Sequence, residues 1–304
     1  MKKIICLICA FILISGALIP AVYAVPIDPA APSSLTVQYS YEGKVYPGLE
    51  IKTYRIASVA PDGSIDLTGD FANYPVNIHG ITSQAEWKQI AYTLAAYIEA
   101  DALAPTAIGT TNASGTVAFE NILPGMYLTL AVRVEDEKAV ILFENFLTMI
   151  PTVNENGALD YNVAAYPKRE AYTPTEKKIE YKIVKLWRDE GKERPDTVEI
   201  EILKNGAHES TQLLSAENNW TYTWEAPDDG AVWNAVERNI GDGYTVTLEK
   251  NGNSFVIINT LKTDDPDAPQ TGDTLSLWHV ALPMSLAGGV ILILAAWRRR
   301  YENA

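Results

Sequence analysis

A lysine, a glutamate and an asparagine fall where β-strand patterning requires apolar side chains. Alternate residues of a strand face one side of its sheet, and one face of the segment from Ile179 reads Ile179, Tyr181, Ile183, Lys185, Trp187. The corresponding face of the closing segment reads Phe255, Ile257, Asn259, Leu261, and a middle segment reads Trp233, Ala235, Glu237. Burying any one of these polar groups alone is costly or forces a large pKa shift, so the three are expected to meet. Face counting leaves two outcomes open. One is structural: a buried Lys–Glu pair with an amide beside it, or a slipped register. The other is chemical: a lysine neutralised by apolar surroundings attacks the Asn259 side-chain carbon, Glu237 shuttles the proton, and ammonia leaves an intramolecular isopeptide bond behind.

The elements that must position these residues are mostly strands. Between residues 34 and 167, period-2 alternation broken by turn clusters recurs at Leu35–Tyr41, Leu49–Ala57, Thr116–Glu120, Tyr127–Val134, Val140–Met149 and Tyr161–Tyr166. Ser83 followed by Glu86 opens a capping box, and Trp87, Ile90, Ala91, Leu94 and Ile98 recur at helical spacing, which predicts a helix over 84–101 lying on this first sandwich. Its apolar stripe reads as core packing rather than a ligand site. The polar, proline-containing segment 169–178 reads as a linker. Strand patterning resumes over 179–262 as a second, smaller sandwich, and residues 263–274 form an acidic stalk.

Composition narrows the function. The chain has 304 residues with a formal charge of −14, which argues against a nucleic-acid partner. Its two cysteines, Cys6 and Cys9, sit in an apolar leader after Lys2 and Lys3 that ends Val22-Tyr23-Ala24, the pattern of a signal peptide cleaved after residue 24. The exported chain is then thiol-free, without disulfide, Cys-ligated metal or iron–sulfur cluster. Three scattered histidines supply neither a metal cluster nor a Ser-His-Asp triad, so no metal and no cofactor is expected, nor an enzyme acting on an external substrate. Residues 275–297 can span a bilayer, with Arg298, Arg299 and Arg300 holding a short tail (298–304) on the cytoplasmic side.

Several stretches carry resemblances. Pro269-Gln270-Thr271-Gly272, then an apolar span, then a basic tail, resembles the cell-wall sorting signal of Gram-positive bacteria, usually LPxTG, with Ala268 in place of the leucine. The resemblance implies that a sortase cysteine attacks the Thr271 carbonyl, releases Gly272 and passes the acyl group to an amine. KIVKLWRDEGKERPDTVEIEILKNG, NNWTYTWEAP, AVERNIGDGYTVT and FVIINT together resemble the collagen-adhesin B-type (CnaB) domain of Gram-positive surface proteins and pilins. That family's bond-forming lysine, glutamate and asparagine fall on Lys185, Glu237 and Asn259. GTVAFENILPGMYLTLA is similar to a strand pair of pilin domains, but the first module lacks a matching lysine in Leu35–Tyr41, has Ala131 where relatives often carry glutamate, and leaves Asn162 alone, so no cross-link is expected there. Its ending, Tyr166-Pro167-Lys168, is similar to the pilin motif whose lysine accepts the neighbouring subunit's threonyl group, which implies Lys168 as intersubunit acceptor. The expected molecule is all-β: two tandem Ig-like, CnaB-type sandwiches in a secreted, wall-attached pilus subunit. Its partners would be sortase, peptidoglycan or neighbouring subunits, and a host surface ligand. The alternative is a monomeric wall-anchored adhesin.

Overall fold

A computed structural model describes residues 25–262 apart from 137, 138, 190, 192 and 193. The expected leader, the stalk, the sorting residues Pro269, Gln270, Thr271 and Gly272, the apolar span and the basic tail lie outside the described residues. Among the described residues no helix is long and apolar enough to cross a membrane.

The described residues are all-β with one α-helix. In the first module, Ser33–Gln38 lies between Thr116–Ile122, antiparallel, and Asn162–Ala165, parallel. Facing it, Phe146–Ile150, Gly125–Thr129, Glu50–Val59 and Ile65–Leu67 form a second sheet, and Ala107–Thr110 also pairs with Glu50–Val59. Alternating side chains from both sheets, among them Leu35, Val37, Ile51, Phe119 and Tyr127, close a core with Phe143. Gly125 of the pilin-like stretch has φ +151°, and a Cβ there would collide with the Ala57 carbonyl oxygen, so the close approach of two strands requires glycine. Asn162 is exposed and accepts a hydrogen bond from Ser34 Oγ (2.9 Å), clear of the core.

The expected linker begins as structure. Arg169–Tyr172 pairs antiparallel with Val140–Phe143, which itself pairs with Val132–Glu135. These four residues, exposed except for half-buried Tyr172, thus complete a small third sheet, because an edge strand can be held by its ladder hydrogen bonds.

The second module stacks two sheets. One has the order Thr221–Pro227, Lys178–Arg188, Ser254–Leu261, Tyr244–Asn251, and the other Ala207–Ser215, Thr197–Lys204, Trp233–Arg238. Its first and last strands are parallel neighbours, with Lys185 opposite Ile257 and Trp187 opposite Asn259. The face read from sequence is the inner one: Tyr181, Ile183, Lys185, Phe255, Ile257 and Asn259 are all buried.

The helix Gln84–Ala100 is capped as expected, with Ser83 Oγ accepting from Glu86 N (3.2 Å) and the Glu86 carboxylate accepting from Ser83 N (2.9 Å). Its placement differs from expectation. It touches Phe146–Ile150 of the first module, yet it packs mainly on the second, against Tyr244–Asn251 and Trp233–Arg238. Two backbone donors of the edge strand Tyr244–Asn251 are satisfied from the first module: Val246 N by Pro75 O (2.7 Å) and Leu248 N by Thr93 Oγ1 (2.7 Å). An amphipathic helix declares an apolar stripe but not its partner, and here the stripe joins one core with residues of both modules, among them Tyr54, Ile56 and Leu128 of the first and Val236, Val246 and Leu248 of the second.

Candidate functional site

Lys185, Glu237 and Asn259 come from three strands and meet between the two sheets of the second module. Their exposures are 2%, 3% and 1%. Glu237 Oε2 lies 3.5 Å from Lys185 Nζ, and Glu237 Oε1 accepts a 2.7 Å hydrogen bond from Asn259 Nδ2. A single carboxyl therefore touches both nitrogens that would exchange places in an amide transfer. The lysine amine also donates to the Leu186 carbonyl (2.8 Å) and stands 4.0 Å from the Trp187 ring centroid. Asn259 Oδ1 is buried without a hydrogen bond, and Glu237 Oε2 has only the Lys185 amine beside it, at 3.5 Å. An orphan such as Asn259 Oδ1 costs on the order of 1–3 kcal/mol, so this is an expensive arrangement to keep unreacted.

Burial dominates the electrostatics. It pushes the Lys185 amine down to about 8, against the attraction of Glu237. It pushes the Glu237 carboxyl up, against Lys185 and the hydrogen bond from Asn259. Both shifts favour a neutral amine beside a protonated acid, the pairing a nucleophilic lysine and its proton carrier need. Nearby, buried Asp189 accepts from Arg194 Nε (2.7 Å) and Tyr244 Oη (3.1 Å), and Arg194 holds its carboxyl far below the usual range. Asp189 stays anionic and sits among Lys185's charged neighbours, so the lysine is not stabilised by Glu237 alone.

Water is excluded partly by the first module. Tyr97 Oη of the helix donates to the Glu237 carbonyl (3.3 Å). The remaining gap among Thr93, Tyr97, Val236, Glu237, Leu248 and Ile257 is about 10 Å³, at or below what one water molecule occupies. Sequence reading missed this contribution, since it took Trp233–Arg238 for a one-sided strand. In fact Asn234 and Val236, on its outer phase, are also buried. It missed Lys250 as well, although Tyr244, Val246, Leu248, Lys250 follow the same alternation that singled out Lys185.

Lys168 lies apart from these residues. Its side chain is exposed after buried Pro167 and exposed Tyr166, and its carbonyl accepts from Glu144 N (2.8 Å). It lines an open groove of about 570 Å³ with Trp87, Lys88, Phe146, Met149 and Val163. The predicted helical stripe is largely core, with Ile90, Ala91, Leu94 and Ile98 buried, while half-buried Trp87 faces this groove. Among the described residues no cluster of His, Cys, Asp and Glu could hold a metal ion.

Lys185, Glu237 and Asn259 thus form a buried cross-strand triad between the two sheets of the second module. Residues 181–260 match the model of the Cna protein B-type domain, and the second sandwich is a domain of that kind. The collagen adhesin of Staphylococcus aureus is 27% identical over 130 residues, covering 39% of this chain and 11% of that protein, so the chain spans only about a tenth of that relative. Among solved structures, a single B repeat unit of the collagen-binding surface protein of Staphylococcus aureus is 16% identical, with 77% of this chain and 99% of that one covered at a TM-score of 0.26. The major pilin SpaD of Corynebacterium diphtheriae is 17% identical, with 78% and 66% covered at a TM-score of 0.30.

Proposed function

We propose that this chain is a structural subunit of a sortase-assembled surface pilus, its second module locked by an amide bond between Lys185 and Asn259. The observation that carries the locking is the contact of one buried carboxyl with both the lysine nitrogen and the asparagine amide nitrogen. In the reaction, the neutral Lys185 amine attacks Asn259 Cγ while the protonated Glu237 carboxyl gives its proton to Nδ2. The resulting carboxylate takes a proton from the attacking nitrogen, the Cγ–Nδ2 bond breaks, and ammonia leaves. Amine plus primary amide thus gives secondary amide plus ammonia, and no oxidant or cofactor is required. The product replaces a buried ionisable amine with a neutral amide, which removes the desolvation penalty of the precursor.

The precursor should react with a bell-shaped pH dependence. At acid pH the amine is charged and offers no lone pair. At more alkaline pH the amine is free, but Glu237, although burial raises its pKa, loses the proton the leaving nitrogen needs. Mass spectrometry of freshly synthesised protein, following ammonia loss against pH, should show the rate falling on both sides; a rate that keeps rising past pH 10 would contradict a protonated Glu237.

Polymerisation rests on the sorting-signal resemblance and on the exposure of Lys168. A threonyl group released at Thr271 of one subunit would be transferred to Lys168 of the next. That amine is reachable by a bulky acyl-enzyme, unlike Lys185. Lys168→Arg keeps charge and length but offers no usable nucleophile. Blots of cell-wall extracts should lose their high-molecular-mass ladder in this variant and retain monomer. A ladder unchanged in Lys168→Arg would make Lys168 a surface residue only, and a single monomer band in wild type would favour the wall-anchored adhesin.

A further inference from the structure

The chemistry proposed at Lys185 has a counterpart beneath the helix. Asn234, on the outer phase of Trp233–Arg238, is 2% exposed. Its Nδ2 donates to Glu99 Oε2 at 2.6 Å, and its Oδ1 is left buried without a partner. Among the described residues, the buried asparagine amide oxygens without a hydrogen bond are those of Asn234 and Asn259. Lys250 occupies the inward phase of Tyr244–Asn251, and its Nζ donates to the carbonyl of Trp233 (2.8 Å), the residue bonded to Asn234. The amine is lodged between the rings of Tyr92 and Phe255, at 5.4 and 5.3 Å from their centroids. Burial acts on this set as on the first, pushing the Lys250 amine down to about 8 and the Glu99 carboxyl up. Lys250 and Lys185 are the lysines so lowered among the described residues, and Glu99 and Glu237 the carboxyls so raised.

We propose that Lys250 and Asn234 form a second intramolecular amide bond, with Glu99 of the first module carrying the proton. The reading extends the chemistry proposed for Lys185 to an independent set of residues. The Lys250 amine leaves the Trp233 carbonyl and attacks Asn234 Cγ. Its proton goes to Glu99, a proton returns to Nδ2, the Cγ–Nδ2 bond breaks, and ammonia departs. Lys250 and Asn234 lie with Lys88, Glu144 and Asn253 along a crevice of about 380 Å³ between the modules, which gives ammonia a way out. The bond would join the edge strands of the two sheets, Trp233–Arg238 to Tyr244–Asn251. Because Glu99 belongs to the helix, it could form only after the helix has docked, so the second module would be sealed in the presence of the first.

Peptide mapping of the full exported chain decides the matter. The expected result is a branched peptide joining Lys250 to Asn234, and an intact mass short by two ammonias. Glu99→Gln, which preserves a hydrogen bond to Asn234, should return one ammonia and remove that branched peptide while leaving the Lys185–Asn259 peptide in place. Glu237→Gln should do the reverse, so failure of one site is read separately from failure of the other. Succinimide formation at Asn-Gly sequences such as Asn251-Gly252 also releases ammonia, so the branched peptide, not the mass alone, is the criterion. Folded wild type with a linear Lys250 peptide, or a branched peptide that persists in Glu99→Gln, overturns the proposal.

Discussion

Glu237→Gln should return one ammonia to the mass of the chain and lower the melting temperature of the second module by roughly 20 °C or more. The substitution keeps the size of the side chain and a partner for Asn259, so the sandwich itself is retained. What is lost is the proton carrier, and with it the Lys185–Asn259 bond. That bond encloses a loop of 74 residues. By analogy with disulfide loop closure it is worth about 4 to 5 kcal/mol, a large fraction of the stability of an 80-residue module. The unreacted variant also keeps an amine in a site that disfavours its charge. Its folded-state pKa is about 8 with Glu237 in place and lower once that attraction is removed, well below the unfolded value, so the penalty is full below the folded pKa and is relieved as pH rises toward 10.5. The stability of Glu237→Gln should therefore increase over that alkaline interval, while bonded wild type shows no such step. Calorimetry across pH checks both parts, and equal melting temperatures in wild type and variant would refute the stabilising bond.

Pulling the second module between its ends should extend Glu237→Gln by roughly 250 Å and leave wild type unextended. The first strand, Lys178–Arg188, and the last, Ser254–Leu261, are parallel neighbours, so a load entering at one and leaving at the other shears the ladder between them. With the bond in place, load passes from Lys178 to Lys185, across the amide, and out through Asn259 to Leu261. The intervening 74 residues are bypassed. Without it they can be drawn out at about 3.4 Å each. A Lys250–Asn234 bond would hold back the residues it encloses and shorten the release by about 50 Å. Single-molecule force spectroscopy reads both lengths, and a wild-type module that extends fully would show that no bond shields it. A polymer joined through Lys168 and the segment beyond Lys262 would route tension through this module and largely around the first.

Much of this was legible in one dimension. Period-2 alternation is a local property of a strand, so the phases of Lys185, Glu237 and Asn259 could be read by counting, and the cost of burying them singly implied a common destination. The capping box at Ser83 and Glu86 is equally local, and the helix starts there. The same counting, carried along Tyr244–Asn251, would also have flagged Lys250.

Tertiary structure decided what covers what. The helix stripe of Ile90, Ala91, Leu94 and Ile98 states only that a face must be buried, and whether the first or the second module buries it depends on which sheet edge is left open. Asn234 and Val236 sit on the outer phase of a strand that reads as one-sided, and they become interior only because a helix from another module lies on them. Glu99 acquires its raised carboxyl pKa, and Tyr97 its role as a seal over Glu237, from that same docking. Residues 169–172 look like a linker because an edge strand needs few apolar side chains once its backbone hydrogen bonds are met. Alternation and capping are short-range and are written in consecutive residues. Desolvation is a sum over neighbours distant in sequence, and the pairing of the helix with the second sandwich is settled only when both surfaces exist.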